Sequence, residues 1–273
     1  MLTLLPRALR AVALGAIGVA MILSPAFARS LKIGGTGATN GLLAELAPEF
    51  KAATGITLEI VAGLGTTGAN NAVIDGKLDI AFTGRELRDK ERAKGLKIAA
   101  TFRTPIGLVT SHESPVGLKS TEIAALVRAD RPVWPDGTPI LIILRPADET
   151  DYIVLGEHFP GFAEALQHLR KRRDLSVAAT DQDNADMAEK LKGSLTSFTL
   201  TQLVTEKRTL KFVAINGAAA SLENYQNGTY PYGKHLYLVV PSVVSPEAEA
   251  FIAFLAGAVG EALLQRGGLI AGK

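Results

Sequence analysis

The sequence predicts an α/β protein of two lobes, with mainly parallel sheets flanked by helices and two hinge crossings. Three observations carry this expectation. Short β-type apolar runs alternate with apolar residues at helical spacing, the order of parallel strand–helix units. Three successive units carry a small polar loop between strand and helix. Two more apolar stretches, near Thr104–Val109 and Thr209–Ile215, lie where a chain leaving one lobe and returning would cross, which permits hinge closure.

The chain opens with a segment outside that fold. Arg7 and Arg10 precede an apolar run, Ala11–Leu23, then Pro25 and the small residues Ala26 and Ala28 of a cleavage site before Arg29. The run is shorter than the ~20 residues of a spanning helix. Residues 1–28 are therefore expected to be a cleaved secretory signal, and the mature protein to be periplasmic. There is no cysteine, so lipid attachment, disulfides and thiolate metal sites are excluded. The chain has 29 Lys and Arg against 27 Asp and Glu, but two of the arginines belong to the leader. The mature chain is thus neutral, without the electrostatic footprint of a nucleic-acid or anionic-lipid partner.

The first strand is Leu31–Gly34. Leu42, Leu43, Leu46 and Phe50 then fall at helical spacing, with Gly55 placed as the cap. Thr57–Val61 reads as a strand, Gly63–Gly68 as the loop after it, and Leu78–Phe82 as the third strand. A helix from Leu87 to Lys94 is closed by Gly95 and followed by strand Lys97–Phe102. Beyond the first crossing, Ser120 is expected to cap a helix through Val127. The all-apolar Ile140–Leu144 suits a strand buried on both faces. Phe162, Leu166 and Leu169 make a helical stripe, Ser176–Thr180 a strand, and Asp181 the cap of the next helix. Strands Leu210–Ile215 and Leu236–Val240 follow, then a helix from the Ser245–Pro246 pair through Phe254. Lobe one is expected to hold 29–107 and 212–273, and lobe two 108–211. Trp134, Tyr230 and Tyr232 are expected to pack in the interior.

Three loops share one chemistry: Gly35–Asn40, Gly63–Gly68 and Thr83–Arg85. Glycine lets backbone amides approach a ligand, threonine adds hydroxyl donors, and helix N-termini favour negative charge. In open parallel sheets such loops gather at the carboxyl edge, where ligands sit. A plain turn needs only one glycine and one cap, fewer small polar residues than the first two loops contain. Gly63–Gly68 also matches G-x-G-x-x-G, but the roughly ten residues before the next strand are too few for the nucleotide-binding crossover.

Taken together, several segments resemble the phosphate-binding proteins of ABC transporters, members of the type II periplasmic solute-binding class. They are Gly35-Thr-Gly-Ala-Thr39, Gly65-Thr-Thr-Gly68, Leu78-Asp-Ile-Ala-Phe-Thr-Gly-Arg-Glu-Leu87, Arg145-Pro-Ala-Asp-Glu-Thr-Asp151, and Gly228-Thr-Tyr-Pro-Tyr232 with Leu236–Val240. The resemblance implies a two-lobe protein that closes on a small oxyanion, phosphate first, and delivers it to an inner-membrane ABC permease. It implies hydrogen bonds from Thr39, Asn40 and Thr66, the first two partly through backbone, and an Arg145 fork on the anion. Thr36, Thr67, Arg85, Asp148 and Thr150 complete the expected ligand set. The sequence departs from the family at Gly84, where the family has an acid, and at Glu149 and Asp151, where it has Ser and Thr. A carboxylate ~4 Å from an anion costs roughly 4 kcal/mol at an effective dielectric of about 20, or about three decades of affinity. Glu149 and Asp151 must therefore turn aside and orient Arg145, or the ligand is not a phosphate dianion.

Two other readings compete. A ligand sensor presenting its closed form to a membrane receptor or kinase needs the same cleft. An enzyme on this scaffold lacks a nucleophile–base pair and a G-x-S-x-G elbow. His112, His158, His168 and His235 show no metal spacing, and Asp148, Glu149 and Asp151 read as a solvated acidic helix start. No cofactor, metal or catalytic residue is expected, and the protein is expected to be a monomer.

Overall fold

A computed structural model describes residues 29–272. The signal segment expected over 1–28 lies outside the described residues. Among those described, no helix is long and apolar enough to cross a membrane.

Strand β1 (Ser30–Gly35) pairs in parallel with β2 (Thr57–Val61) and β3 (Ile80–Thr83). Leu31 and Ile33 of β1 face inward. Helix α1 (Asn40–Thr54) lays Leu42, Leu43, Leu46 and Phe50 against that sheet and ends where Gly55 turns left-handed at φ 75°. Helix α2 (Gly65–Ile74) starts inside the expected second loop, so Gly65–Gly68 form its first turn. A short α3 (Asp89–Arg92) precedes β4 (Leu96–Thr110), which leaves lobe one.

β4 is the first crossing. Its residues 96–105 pair antiparallel with β8 (Gly233–Pro241), and Ile106–Val109 then pair with β6 (Ser194–Thr199) in lobe two. Between them lie α4 (Ile123–Arg128), β5 (Leu141–Ile142), α5 (Thr150–His158), α6 (Phe162–Leu169) and α7 (Asp181–Lys190). After β6 come α8 (Leu200–Thr205), β7 (Lys211–Phe212) and α9 (Leu222–Gln226). β8 then returns to lobe one for α10 (Pro246–Ala256), α11 (Ala258–Arg266) and β9 (Ile270–Ala271). The strand order is β2-β1-β3-β8-β4-β6-β5, with β7 and β9 also on β4. β1, β2 and β3 run parallel, as do β5 and β6, whereas the strands that carry the chain across run antiparallel to their neighbours.

The two cores place the return crossing later than the sequence reading does. Val213, Ile215, Ala218, Ala220, Tyr230 and Tyr232 pack with Ile106, Trp134, Leu155 and Phe159, the core of lobe two. Residues 213–232 thus leave lobe one, and the chain crosses back at Gly233. The physical reason is Tyr230, whose hydroxyl donates to the Ile106 carbonyl at 2.9 Å. A Cβ on Gly107 would lie 2.3 Å from that hydroxyl oxygen.

Smaller expectations also shift. Ile140–Leu144 yields only the two-residue β5 at a sheet edge; Ile140, Ile142, Ile143 and Leu144 are buried as expected, and Leu141 is 40% exposed. Ser176–Thr180 supplies one parallel bridge, Val177 to Leu144, rather than a strand. Ser120 bonds Asn216 rather than capping α4. Ser245 does cap α10, accepting from the Ala248 amide with Pro246 in the first turn.

Candidate functional site

A cleft of about 240 Å³ lies between the lobes. Lobe one contributes Thr36, Gly37, the segment from Gly63 to Thr67, Arg85 and Arg88; lobe two contributes Arg145, Pro146, Asp148–Thr150 and Ala179–Gln182. Glycine sets how closely the first loop meets its neighbours. A Cβ on Gly35 would lie 1.8 Å from the Phe82 carbonyl oxygen, so only glycine lets β1 sit this close to β3. Thr36 then donates its amide to the same carbonyl at 2.9 Å, and the chain turns through a single 3-10 turn, Gly37–Thr39, into α1.

Arg145 follows the Leu144 bridge in lobe two, and its side chain is 2% exposed. Its guanidinium donates to the Thr180 carbonyl, to Glu149 Oε2 at 2.7 Å and to Asp181 Oδ1 at 2.8 Å. Arg170 holds the Arg145 backbone from behind, donating to its carbonyl at 2.6 Å. The second oxygen of Asp181 accepts from the Ala38 amide at 2.9 Å and from Thr36 Oγ1 at 3.2 Å, across the gap between lobes. Lys234, on β8, is buried and donates to Thr150 Oγ1 at 2.7 Å and to Asp151.

Two cations and three carboxylates therefore share one buried cluster. Burial works against charge on Arg145, but Asp181 and Glu149 outweigh it and raise its pKa. The same contest at Lys234 is won by Asp151 and Glu149, again raising the pKa. Burial would raise Glu149, yet Lys234 and Arg145 pull it below its ordinary value. Asp181 goes the other way. Burial, followed by repulsion from Glu149 and Asp151, pushes it up to about 6 despite Arg145 and Lys234. Glu149, Asp151 and Asp181 offer oxygens within 4.8 Å of one another, close enough for a cation. Their oxygens are already engaged by Arg145, Lys234 and backbone or hydroxyl donors, which makes this an ion-pair network rather than an open ligand set.

Most of the expected residues meet here. Thr36, Thr66, Thr67, Arg85, Arg145, Asp148 and Thr150 all line the cleft. Thr66 Oγ1 accepts from the Gly84 amide at 2.9 Å, joining the second and third loops. Arg85 is largely spoken for: it forks onto the buried Glu91 at 2.8 and 2.9 Å, with a weaker contact to Thr67 at 3.3 Å. Asp148 is exposed at the rim. Thr39 and Asn40 do not line the cleft. Thr39 is wholly buried and its hydroxyl donates to the Thr36 carbonyl at 3.0 Å, which turns it into the loop's own brace. Asn40 begins α1, its amide bonded back to the Gly37 carbonyl.

The departures noted in the sequence have structural counterparts. Gly84 has no room for a side chain, because a Cβ there would meet Thr150 Oγ1 at 2.8 Å and Lys234 Nζ at 2.9 Å. Glu149 turns to Arg145 and Asp151 to Lys234. Three cleft-facing groups lie outside the ligand set expected from sequence: Asp181 (whose expected capping role belongs to Thr180), Gln182 and Arg88. Lys234, just behind the cleft, was also missed, although it lies in phase with Leu236 and Leu238 on a strand's inward face.

Residues 24–259 match the family model of the PBP superfamily domain. No curated protein matches the sequence. Among solved structures, a substrate-binding protein of Clostridium perfringens with bound phosphate is similar, with a TM-score of 0.74, 18% identity, and 90% of this chain and 100% of that one covered. An ABC-type phosphate transport receptor from Vibrio cholerae gives 0.59 at 16% identity, covering 88% and 99%. A periplasmic molybdate-binding protein of Azotobacter vinelandii gives 0.58 at 14%, covering 89% and 100%. At these identities the likeness is one of fold.

Proposed function

Because the chain belongs to the PBP superfamily, we propose that it is a periplasmic solute-binding protein that closes its two lobes on a small oxyanion, phosphate first, and passes it to an ABC permease. The observation that carries this reading is the placement of Arg145. A guanidinium buried to 2% exposure stands at the cleft wall, facing the Ala38 amide and the Thr36 hydroxyl of the opposite lobe. A planar fork opposite helix-start amides suits an oxyanion's spread of acceptor oxygens. Thr66, Thr67 and the exposed Arg88 supply further donors toward the same space. Closure then follows from differential affinity, since donors from both lobes reach the ligand only when the cleft is shut.

The test is thermal unfolding of the mature chain with phosphate, sulfate, molybdate, phosphonates and small carboxylates. A true ligand at about 100 times its dissociation constant adds ~2.7 kcal/mol. For a chain of this size that is a rise of roughly 5–11 °C. No shift with any oxyanion would remove the anion-binding reading.

A further inference from the structure

Three of these donors, the Arg145 guanidinium, the Ala38 amide and the Thr36 hydroxyl, are already taken by one side chain. Asp181 Oδ1 accepts from Arg145 at 2.8 Å, while Oδ2 accepts from the Ala38 amide at 2.9 Å and Thr36 Oγ1 at 3.2 Å. One carboxylate thus joins the guanidinium of lobe two to the helix-start amide of lobe one, as two oxygens of a bound anion would. The neighbouring Gln182 donates to the Gly37 carbonyl at 2.9 Å. Gly37 permits this approach, since a Cβ there would lie 2.8 Å from Asp181 Oδ2 and 2.6 Å from Gln182 Oε1.

Asp181 has no local duty that would explain this position. It is the first residue of α7, but Thr180 caps that helix: Thr180 Oγ1 accepts from the Asp183 amide at 3.0 Å, and Asp183 Oδ2 accepts from the Thr180 amide at 3.1 Å. The capping box is complete without Asp181, whose carboxylate is turned away from the helix and into the cleft. Nor does Arg145 need it for neutrality, because Glu149 pairs with the same guanidinium at 2.7 Å.

We propose that Asp181 is a tethered carboxylate that occupies the oxyanion seat between the lobes, must be displaced by the solute, and thereby sets anion affinity and selectivity. The inference rests on the oxyanion-binding reading above. A tethered group competes at a high effective concentration. A free monocarboxylate offers the seat nothing beyond what Asp181 already gives, so it cannot displace it. A tetrahedral oxyanion brings more acceptor oxygens, which can also take Thr66, Thr67 or Arg88. The seat therefore selects phosphate- or sulfate-like anions and rejects small carboxylates.

Calorimetric titration of the mature protein, D181N and D181A with inorganic phosphate, sulfate and acetate tests this, with unfolding curves showing that each variant is folded. D181N keeps the side chain's shape and serves alone if D181A does not fold. Expected is phosphate or sulfate binding about tenfold tighter or more in both variants, from removal of the competing charge. Acetate, rejected by the unmodified protein, gains measurable binding to D181A, where it takes the vacated seat. If the unmodified protein binds an oxyanion and the variants bind it equally or more weakly, Asp181 is a positioning partner of Arg145 and the proposal fails while the oxyanion reading stands. Acetate binding to the unmodified protein, or none to folded D181A, also overturns it. If none of the three proteins binds phosphate or sulfate, the oxyanion reading falls and this proposal with it.

Discussion

Replacing Lys234 by methionine removes one charge from the interior and keeps the shape of the side chain. Lys234 is 1% exposed and its ammonium donates to Thr150 Oγ1 and Asp151, itself 4% exposed. In K234M the three carboxylates of the cluster are left with Arg145 alone, and Asp151 loses the cation it contacts. Breaking a buried pair by removing one partner costs about 3–5 kcal/mol. The direct estimate agrees, since unit charges ~4 Å apart at an effective dielectric of about 20 attract by roughly 4 kcal/mol. For a chain of this size each kcal/mol moves the melting temperature by ~2–4 °C, so the drop should be roughly 6–20 °C. Thermal and urea unfolding at neutral pH, followed by circular dichroism, measure it. The control is K234M combined with D151L. Exchanging both partners for apolar residues of similar volume is often close to neutral, so the double variant should recover most of the loss. A K234M protein within about 1 kcal/mol of the parent, or a double variant no more stable than the single, would refute the claim that Asp151 depends on this ammonium.

Two further outcomes follow from close approach and from burial. G35A drives a methyl into the Phe82 carbonyl, so the variant should lose 3 kcal/mol or more, about the upper end of overpacking costs, or fail to fold, as read by urea unfolding. Asp181, raised to about 6 by burial and by Glu149 and Asp151, holds a proton in the folded state that the unfolded chain has already released; stability from this group therefore falls as pH rises from about 4 to about 6 and is flat above, so the parent should lose ground to D181N across that window in paired unfolding curves.

How far the site could be read from the chain depends on whether its signals were local. The three loops were legible because glycine and threonine between a strand and a helix carry their meaning within six residues, and all three reach the cleft. Arg145 was legible only through the resemblance; on its own an arginine before a proline reads as surface. Thr39 was misplaced because a hydroxyl can serve either a ligand or a nearby carbonyl, and the Thr36 carbonyl is nearer. The sequence alone makes Asp181 a cap, because aspartate at a helix start usually is one. The true cap is Thr180, one residue earlier, and that single step sends the Asp181 carboxylate across the cleft. The sequence puts the return crossing at 212 and the packing puts it at Gly233 for a similar reason. An apolar strand such as Leu210–Ile215 looks the same whichever core it joins, and the partner that decides, Ile106, is more than a hundred residues away.

The acidic residues that seem to argue against an anion site lose that force once their partners are counted. Glu149 lies against Arg145 and Asp151 against Lys234, so each is answered by a cation at hydrogen-bond range. Their field at the cleft is that of paired charges, well below the roughly 4 kcal/mol that one bare carboxylate would impose at ~4 Å. The surplus negative charge belongs to Asp181, which shares Arg145 with Glu149 and sits on the very donors an anion needs. Moving that one carboxylate aside leaves a balanced wall, a guanidinium and a free helix-start amide. Keeping it in place leaves a closed, self-satisfied cleft. In the proposed reading the chemistry of the site turns on the competition between an incoming anion and a single tethered one, and Glu149 and Asp151 leave room for an anion because Arg145 and Lys234 hold them.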